Sequence, residues 1–315
     1  MGGGMWSTST YAARAATKKA AGQTAFHYSD TALRTVPRDQ LKAHDLLDPK
    51  SVNKAGAHDG QNIREAYDNS EHPESLAIAV LFDVTGSMGR IPQVLQQKLP
   101  DLHGLLMRKS YVTDPQILFG AIGDANTDRV PLQIGQFEAD NRMDEQLENI
   151  LLEGGGGGQV HESYELGLYY MARHTDLDCL NKRGKKGYLF LMGDEMPYGT
   201  VSREQVKKHI GDDLAEDIPV SDIVAELEEK FEVFFLFVSQ GAYEASRIMP
   251  AWQELLGERV LILDDADAVC ETIALTLGLL EGITDLENGV GDLTDISNDA
   301  KAAAAAGKAL SGIGK

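Results

Sequence analysis

Short runs of apolar residues alternate along this chain with longer segments that mix apolar and polar positions. The run over residues 76–82 is wholly apolar and too short for a buried helix, so it indicates a central strand covered on both faces. Similar runs indicate further strands, and the segment after the turn-forming residues 124–129 predicts one that returns antiparallel at the sheet edge. The six predicted strands cover residues 76–82, 116–122, 130–137, 187–192, 231–239 and 259–263.

Apolar residues at helical spacing occupy the segments between these strands. Pro100 is expected to kink the first of the predicted helices, and Gly211 and Pro219 are expected to break the fourth. Strands that alternate with helices, with one hairpin after the second strand, predict an α/β fold: a doubly wound, mostly parallel six-stranded sheet with helices on both faces. The predicted helices lie at residues 91–106, 143–151, 162–172, 202–230 and 267–280.

Polar and small residues follow the first predicted strand directly. The apolar run ends at Asp83, and Thr85, Ser87 and two glycines come next, before a helix. A strand that delivers one carboxylate and two hydroxyls into a tight turn forms a small cup lined by oxygen atoms. Such a ligand set suits a hard octahedral cation such as Mg2+, which keeps several waters. The pattern therefore predicts a metal site at this turn.

Two later loops carry further candidate ligands. The residues from Gly154 to Gly158 are consecutive glycines, which cannot form a helix or strand interior and which allow the backbone to approach a neighbour closely. A flexible linker is the alternative, although this run opens directly into the predicted helix that contains Glu162. The fourth strand is followed by Asp194 and Glu195, and a carboxylate in that position is otherwise often a helix N-cap.

Together these loops resemble the metal-ion-dependent adhesion site (MIDAS) of von Willebrand factor A (vWA) domains. The spacing Asp83-x-Thr85-x-Ser87 is similar to the first loop of that site, and Asp194 matches the third. The resemblance covers roughly residues 74–281. It implies a vWA or Rossmann-like sheet with strand order 3-2-1-4-5-6, in which strand 3 is antiparallel.

The second loop is altered relative to the family. Gln159 lies at the Asp position of one version of that loop, Glu162 matches its Glu, and the usual Thr is missing. The resemblance implies that the ion is Mg2+, or else Mn2+ or Ca2+, and that a partner contacts the rim of the site. The implied metal ligands are Asp83, Thr85, Ser87, Asp194, Gln159 and Glu162, and the implied partner contacts are Gly86, Met88, Gly158 and Glu195.

The function implied by the resemblance is that of a non-catalytic module that binds a protein partner, whose carboxylate completes the coordination of the ion. Many intracellular bacterial members work beside AAA+ ATPases of the MoxR type, so an adaptor role is expected. The alternative is a structural or assembly protein, for example a viral one, that keeps the fold and in which the metal site is dispensable. A phosphohydrolase of the haloacid dehalogenase type would require Asp-x-Asp, and Thr85 occupies the place of the second Asp.

Charge and composition narrow the range of partners. The chain carries 29 Lys and Arg against 49 Asp and Glu, a formal net charge of -20 at pH 7, and shows no basic stripe, so nucleic acid is not expected as a ligand. Cys179 and Cys270 lie far apart, which argues against a disulfide framework. Since no apolar run reaches membrane-spanning length and no hydrophobic signal core follows Met1, we expect a cytoplasmic protein with no membrane partner.

The chain is thus expected to have three parts. Residues 74–281 form the vWA-like domain. Residues 1–73 lack strand-like runs and predict an extension that is partly helical, with a short basic helix over residues 11–21. Residues 282–315 are acidic and then rich in Ala and Gly, and predict a low-complexity tail with helical potential.

Overall fold

The computed structural model describes most of the chain. The basic helix predicted over residues 11–21 lies largely outside the described residues. The residues that the structure describes are 27–155, 158–297 and 299–311, together with Ser7, Ser9, Ala13, Ala16, Thr17 and Ala20.

A six-stranded sheet runs through the centre of the molecule. Its strands are β1 Leu76–Asp83, β2 Pro115–Ile122, β3 Leu132–Ile134, β4 Gly187–Gly193, β5 Phe231–Val238 and β6 Val260–Leu263. Their spatial order is β3-β2-β1-β4-β5-β6, and every neighbouring pair is parallel except β2 and β3, which are antiparallel. The prediction of an α/β fold with a mostly parallel central sheet is therefore confirmed.

Helices connect these strands. The segment predicted to kink at Pro100 is a single element, α2, whereas the break predicted near Gly211 and Pro219 separates α6 from α7. The described helices are α1 His27–Thr35, α2 Ile91–Arg108, α3 Arg142–Glu148, α4 Tyr164–Arg173, α5 Asp178–Arg183, α6 Arg203–His209, α7 Val220–Glu228, α8 Ala245–Leu256, α9 Val269–Leu280, α10 Leu286–Ser297 and α11 Ala300–Leu310.

Shorter elements complete the fold. Short 3-10 turns lie at Arg38–Gln40, Gly86–Met88 and Ala266–Ala268. Two-residue or three-residue ladders pair Arg64–Ala66 with Thr175–Leu177, His161–Glu162 with Met196–Pro197, and Thr200–Val201 with Ile218–Pro219.

The central strand β1 is buried along its whole length. Successive side chains of a strand point to opposite faces, so burial of every residue means that both faces of β1 are covered. Helices α4 and α7 pack against each other, and α9 packs against α2, α10 and α11. The edge strand β3 is shorter than predicted: it begins only after Pro131, which has no backbone N–H for a ladder, and it ends at Ile134.

The C-terminal residues predicted as a tail form helices that pack against the core. Leu293 of α10 is buried, and so are Ala302, Ala303 and Ala306 of α11. Alanine side chains at helical spacing are small enough to allow close contact between helices. Within the described ranges, none of the helices has the length and apolarity needed to cross a membrane.

One buried arginine ties the segment before the sheet to its edge. Arg64 is only 1% exposed. Its guanidinium donates hydrogen bonds to the carbonyl oxygens of Asp48 at 2.9 Å, Ser51 at 3.0 Å and Ile134 of β3 at 3.3 Å. Its charge is thus placed among carbonyl oxygens, and the extension is held against the sheet.

The carboxyl ends of β1 and β4 lie side by side at the centre of the sheet, with Phe82 paired to Met192. The strand order continues to β2 and β3 on one side and to β5 and β6 on the other. Ligands of open α/β sheets bind where the order reverses in this way. Asp83 ends β1 and Asp194 follows β4, so the fold brings both carboxylates to this point.

Candidate metal centre

Asp83 is held in one orientation by three hydrogen bonds. Its Oδ1 accepts from the backbone N–H of Thr85 at 2.7 Å and from the Thr85 hydroxyl at 2.6 Å. Its Oδ2 accepts from the hydroxyl of Tyr164 on α4 at 2.8 Å. The carboxylate is fully buried at the end of β1. A buried group fixed in this way needs no reorganisation to meet a ligand.

The turn after β1 brings its two hydroxyls to the carboxylates that follow β4. Ser87 Oγ donates to Asp194 Oδ1 at 2.7 Å and lies 3.1 Å from Thr85 Oγ1. Both hydroxyls lie 3.4 Å from Glu195 Oε2. Ligand atoms of Asp83, Asp194 and Glu195 all lie within 4.8 Å of one another, and all three residues are buried. We call these three residues with Thr85 and Ser87 the oxygen cluster.

The oxygen cluster concentrates negative charge away from water. Burial raises the pKa of Asp83 to about 7; hydrogen bonds from Thr85 act against this, and the charges of Glu195 and Asp194 add to it. Burial is likewise the largest cause that raises the pKa of Asp194 and of Glu195. Three buried carboxylates that destabilise one another's charge are an arrangement that a divalent cation stabilises.

The donor set fits a hard cation in both kind and spacing. Every donor is a carboxylate or hydroxyl oxygen, the ligand type preferred by Mg2+, Ca2+ and Mn2+. Opposite oxygens of an octahedral Mg2+ site lie about 4.2 Å apart, twice the bond length of about 2.1 Å. The carboxylate oxygens of Asp83, Asp194 and Glu195 lie within 4.8 Å of one another, a spacing compatible with this value.

Glu162 lies beside the oxygen cluster as a buried acid. It is 1% exposed, and its short strand pairs with the one that follows Glu195. Burial raises its pKa to about 11, with the charge of Asp83 and a hydrogen bond with Glu195 as further causes. Its Oε2 makes no hydrogen bond within the described structure. Of the two candidate ligands predicted in the second loop, Glu162 is the one that the fold brings to the cluster.

Gln159 is directed to different partners. Its side chain is exposed, and its Nε2 donates to the hydroxyl of Tyr198 at 2.7 Å and to Asp124 Oδ2 at 3.3 Å. Asp124 follows β2, one strand further from the centre of the sheet, and the side-chain amide of Gln159 therefore points away from the oxygen cluster. The prediction that Gln159 binds the metal is therefore not supported by its contacts.

The four residues predicted to contact a partner separate into two kinds. Gly86 and Gly158 are exposed, as a rim position requires. Met88 is only 1% exposed because its side chain packs in the core below the turn, so its prediction as a contact residue is corrected. Glu195 is 3% exposed and belongs to the oxygen cluster itself, because the turn after β4 points its side chain inward.

The glycine run packs against the first loop. The backbone N–H of Gly86 donates to the carbonyl oxygen of Gly155 at 3.0 Å. A Cβ at Gly155 would lie 1.6 Å from Asp128 Oδ1, so only glycine fits there. Close packing of this kind is not expected of a flexible linker, and it explains why glycine stands at position 155.

Gly241 leaves the space that the side chain of Asp194 occupies in the site. A Cβ at Gly241 would lie 2.3 Å from Asp194 Oδ2, and the next residue, Ala242, donates its backbone N–H to the same oxygen at 2.5 Å. The loop after β5 therefore orients Asp194 from the side opposite to Ser87.

Comparisons with known proteins leave the family open. No protein-family model matches the chain, and no curated protein matches it. Solved structures with partial similarity include the pilus adhesin SpaC from Lactobacillus rhamnosus GG in its open conformation, at 11% identity and a TM-score of 0.47, covering 65% of this chain and 30% of the adhesin. Proximal thread matrix protein 1 from the mussel byssus matches at 13% identity and a TM-score of 0.41, covering 66% of this chain and 46% of that protein. This chain thus spans less than half of either, and such low similarity carries no functional argument.

Several residues around the oxygen cluster were not predicted from the sequence. Tyr164 donates to Asp83, and Trp252 Nε1 donates to the carbonyl oxygen of Glu195 at 2.9 Å. Both are aromatic residues in helical patterns, and such residues usually signal core packing. Asp124 could have been found, because it follows a predicted strand just as Asp83 and Asp194 do.

Proposed function

We propose that this protein is a non-catalytic, metal-dependent protein-binding module of the vWA type. The observation that carries the proposal is the oxygen cluster, in which buried Asp83, Asp194 and Glu195 meet Thr85 and Ser87. The cluster lies at the reversal of strand order, where α/β sheets bind ligands. The doubly wound, Rossmann-like vWA topology is part of this proposal.

The hydrogen bonds assign a role to each ligand. Thr85 and Ser87 donate their hydroxyl hydrogens to Asp83 and Asp194, so the lone pairs of the two hydroxyl oxygens are free for a cation. In the proposed function these hydroxyls bind Mg2+ directly, and Asp83 and Asp194 hold its waters. Glu195 Oε2 lies 3.4 Å from both hydroxyl oxygens, and its carboxylate adds a third acidic group to those of Asp83 and Asp194.

The open side of the cluster accounts for partner binding. Gly86 and Gly158 are exposed and carry no side chain, and Ser87 is partly exposed. A carboxylate from a partner can therefore approach past them and take a coordination position of the ion. The resemblance to vWA proteins suggests the class of partner, a MoxR-type AAA+ ATPase that uses this protein as an adaptor.

Relaxation of water protons by bound Mn2+ tests the proposed coordination. Mn2+ at the site should enhance the relaxation rate through its bound waters, and added acetate should lower that enhancement by displacing water. Ser87→Ala should bind Mn2+ more weakly, whereas Ser221→Ala, an exposed serine on α7, should behave like the wild type. If wild type and Ser87→Ala bind Mn2+ equally, the ion lies elsewhere; if acetate has no effect, carboxylate capture fails.

A further inference from the structure

A cavity of about 480 Å3 lies outside the oxygen cluster, where three separate parts of the chain meet. Its walls come from residues 41–50 of the extension, from residues 129–132 at the start of β3, and from the end of α6. This volume lies within the range of about 300–1,000 Å3 that small-molecule sites occupy. We call it the extension cavity.

Four cations without acidic partners line the extension cavity. They are Lys42, Lys50, Arg129 and Lys208, all exposed, and none forms an ion pair in the described part of the chain. This is unusual on a chain of net charge -20, where acidic groups outnumber basic ones. Many other cations pair with a carboxylate, such as Arg173 with Glu226 at 2.7 Å.

The acidic residues of the cavity only partly offset these cations. Asp45 and Asp48 also line it, so four positive and two negative side chains leave 4 - 2 = +2. Asp48 is in addition engaged locally, because its Oδ1 accepts from the backbone N–H of Lys50 at 2.9 Å. The cavity is therefore a positive region on an acidic protein.

Helix dipoles do not account for the cations. Lys208 lies in the last turn of α6, where a positive charge is favourable in any case. Lys42, Lys50 and Arg129, however, lie in no helix and come from two other segments. Their convergence is a property of the cavity.

A histidine in the cavity wall has an unmet hydrogen bond. His209 lines the cavity, and its Nε2 is enclosed and makes no hydrogen bond within the described structure. Burial, together with the charges of Lys208 and Lys50, lowers the pKa of His209 to about 4. A bound anion would reduce the field of the two lysines at His209.

Two apolar side chains form the floor of the cavity, whose lining is otherwise mostly polar. Leu41 and Val130 line it and form a small buried cluster with Leu151. A cationic rim above an apolar floor fits a ligand that has one anionic group and an apolar body.

We propose that the extension cavity binds a small phosphate monoester. A phosphate monoester carries a charge of about -1.5 to -2 at neutral pH. This charge is opposite in sign and close in size to the net charge of +2 on the cavity lining. Lysine and arginine side chains are the usual donors to such a group. This site does not depend on the oxygen cluster, and it binds in the absence of metal.

Calorimetric titration in EDTA with phenyl phosphate, inorganic phosphate and phenol tests the proposal. Phenyl phosphate should bind most tightly because it uses both rim and floor, inorganic phosphate more weakly, and phenol weakest. The double variant K50Q/K208Q should bind phenyl phosphate at least about tenfold more weakly, as expected for loss of charge-assisted hydrogen bonds. Lys54→Gln is the matched control, an exposed lysine outside the cavity, and should bind like the wild type.

Two further measurements decide the outcome. On titration with phenyl phosphate, the Nε2 resonance of His209 should shift in the wild type and not in the double variant. Because Lys50, Lys54 and Lys208 are exposed, their substitution should leave the melting temperature unchanged. An unchanged melting temperature will show that each variant is folded. Failure of the wild type to bind phenyl phosphate, or equal binding by the double variant, overturns the proposal. Binding of a phosphoserine peptide without binding of phenyl phosphate also overturns it, and assigns the surface to a protein partner.

Discussion

Replacement of Asp83 by asparagine should stabilise the metal-free protein and abolish its response to Mg2+. The substitution keeps the shape of the side chain and removes its charge. The amide oxygen can still accept from Thr85, and the amide nitrogen can donate to the hydroxyl of Tyr164, which now bonds to the carboxylate at 2.8 Å. The main change is therefore electrostatic.

The pKa of Asp83 determines the size of the effect. Burial raises this pKa from 3.8 to about 7, so the folded state binds the proton more tightly than the unfolded state does. Stability is then highest at low pH and is lost as the pH rises from the unfolded value towards the folded one. Integration over this range gives a loss of about 2 kcal/mol between pH 5 and pH 7 from Asp83 alone.

Metal binding acts in the opposite direction. A ligand that binds only the folded state contributes about 2.7 kcal/mol when its concentration is about 100 times its Kd. The wild type should therefore gain stability from Mg2+ at pH 7, when the cation offsets the buried charge. At pH 7 in EDTA the Asp83→Asn variant should be about 4 kcal/mol more stable than the wild type, the whole loss from low pH up to pH 7, and it should gain nothing from Mg2+.

Urea unfolding at pH 5, 6 and 7, with EDTA or with Mg2+, measures both effects. In EDTA, the unfolding free energy of the wild type should fall with pH by about 2 kcal/mol more than that of Asp83→Asn. Asp59→Asn, an exposed substitution outside the site, should reproduce the wild-type curves. The reasoning is refuted if Asp83→Asn is less stable than the wild type at pH 7, or if Mg2+ stabilises it equally.

Four further substitutions or assays address other parts of the structure. Tyr164→Phe should lower the unfolding free energy by about 1–3 kcal/mol in urea titrations, because Asp83 loses a buried donor; an unchanged midpoint would contradict this. Gly241→Ala should weaken Mg2+ affinity in calorimetry, since its Cβ would lie 2.3 Å from Asp194 Oδ2, and unaltered affinity would show that Asp194 is dispensable. Arg64→Met should destabilise the fold by about 2–4 kcal/mol because three carbonyl oxygens lose their buried donor; a loss below about 0.5 kcal/mol would speak against the tie. A phosphatase assay with Mg2+ should show no turnover, and turnover that Asp83→Asn abolishes would replace the binding module with an enzyme.

The hydrophobic pattern alone predicted the strands of the sheet and the class of fold. A run such as residues 76–82 reports that the segment is buried on both faces, and that is a local property of the sequence. The chemistry of the first loop was equally local, because Asp83, Thr85 and Ser87 lie within five consecutive positions. Asp194 was predicted because it follows another such run.

The tertiary structure decided which side chains share one site. Glu195 was predicted at the rim and lies in the oxygen cluster, whereas Gln159 was predicted as a ligand and contacts Asp124. Both outcomes depend on how the turns after β4 and before α4 orient their side chains, and hydrophobic periodicity contains no information about that. The hydrogen bond between Tyr164 and Asp83 joins residues 81 positions apart.

The extension cavity is a second case in which the sequence alone does not show which side chains lie together. Lys42, Arg129 and Lys208 lie in three separate segments of an acidic sequence, and no local pattern connects them. They meet because Arg64 holds the extension against β3 and because α6 ends beside the same edge. Patterning along a chain determines which segments are buried, while the packing of those segments determines which distant charges become neighbours.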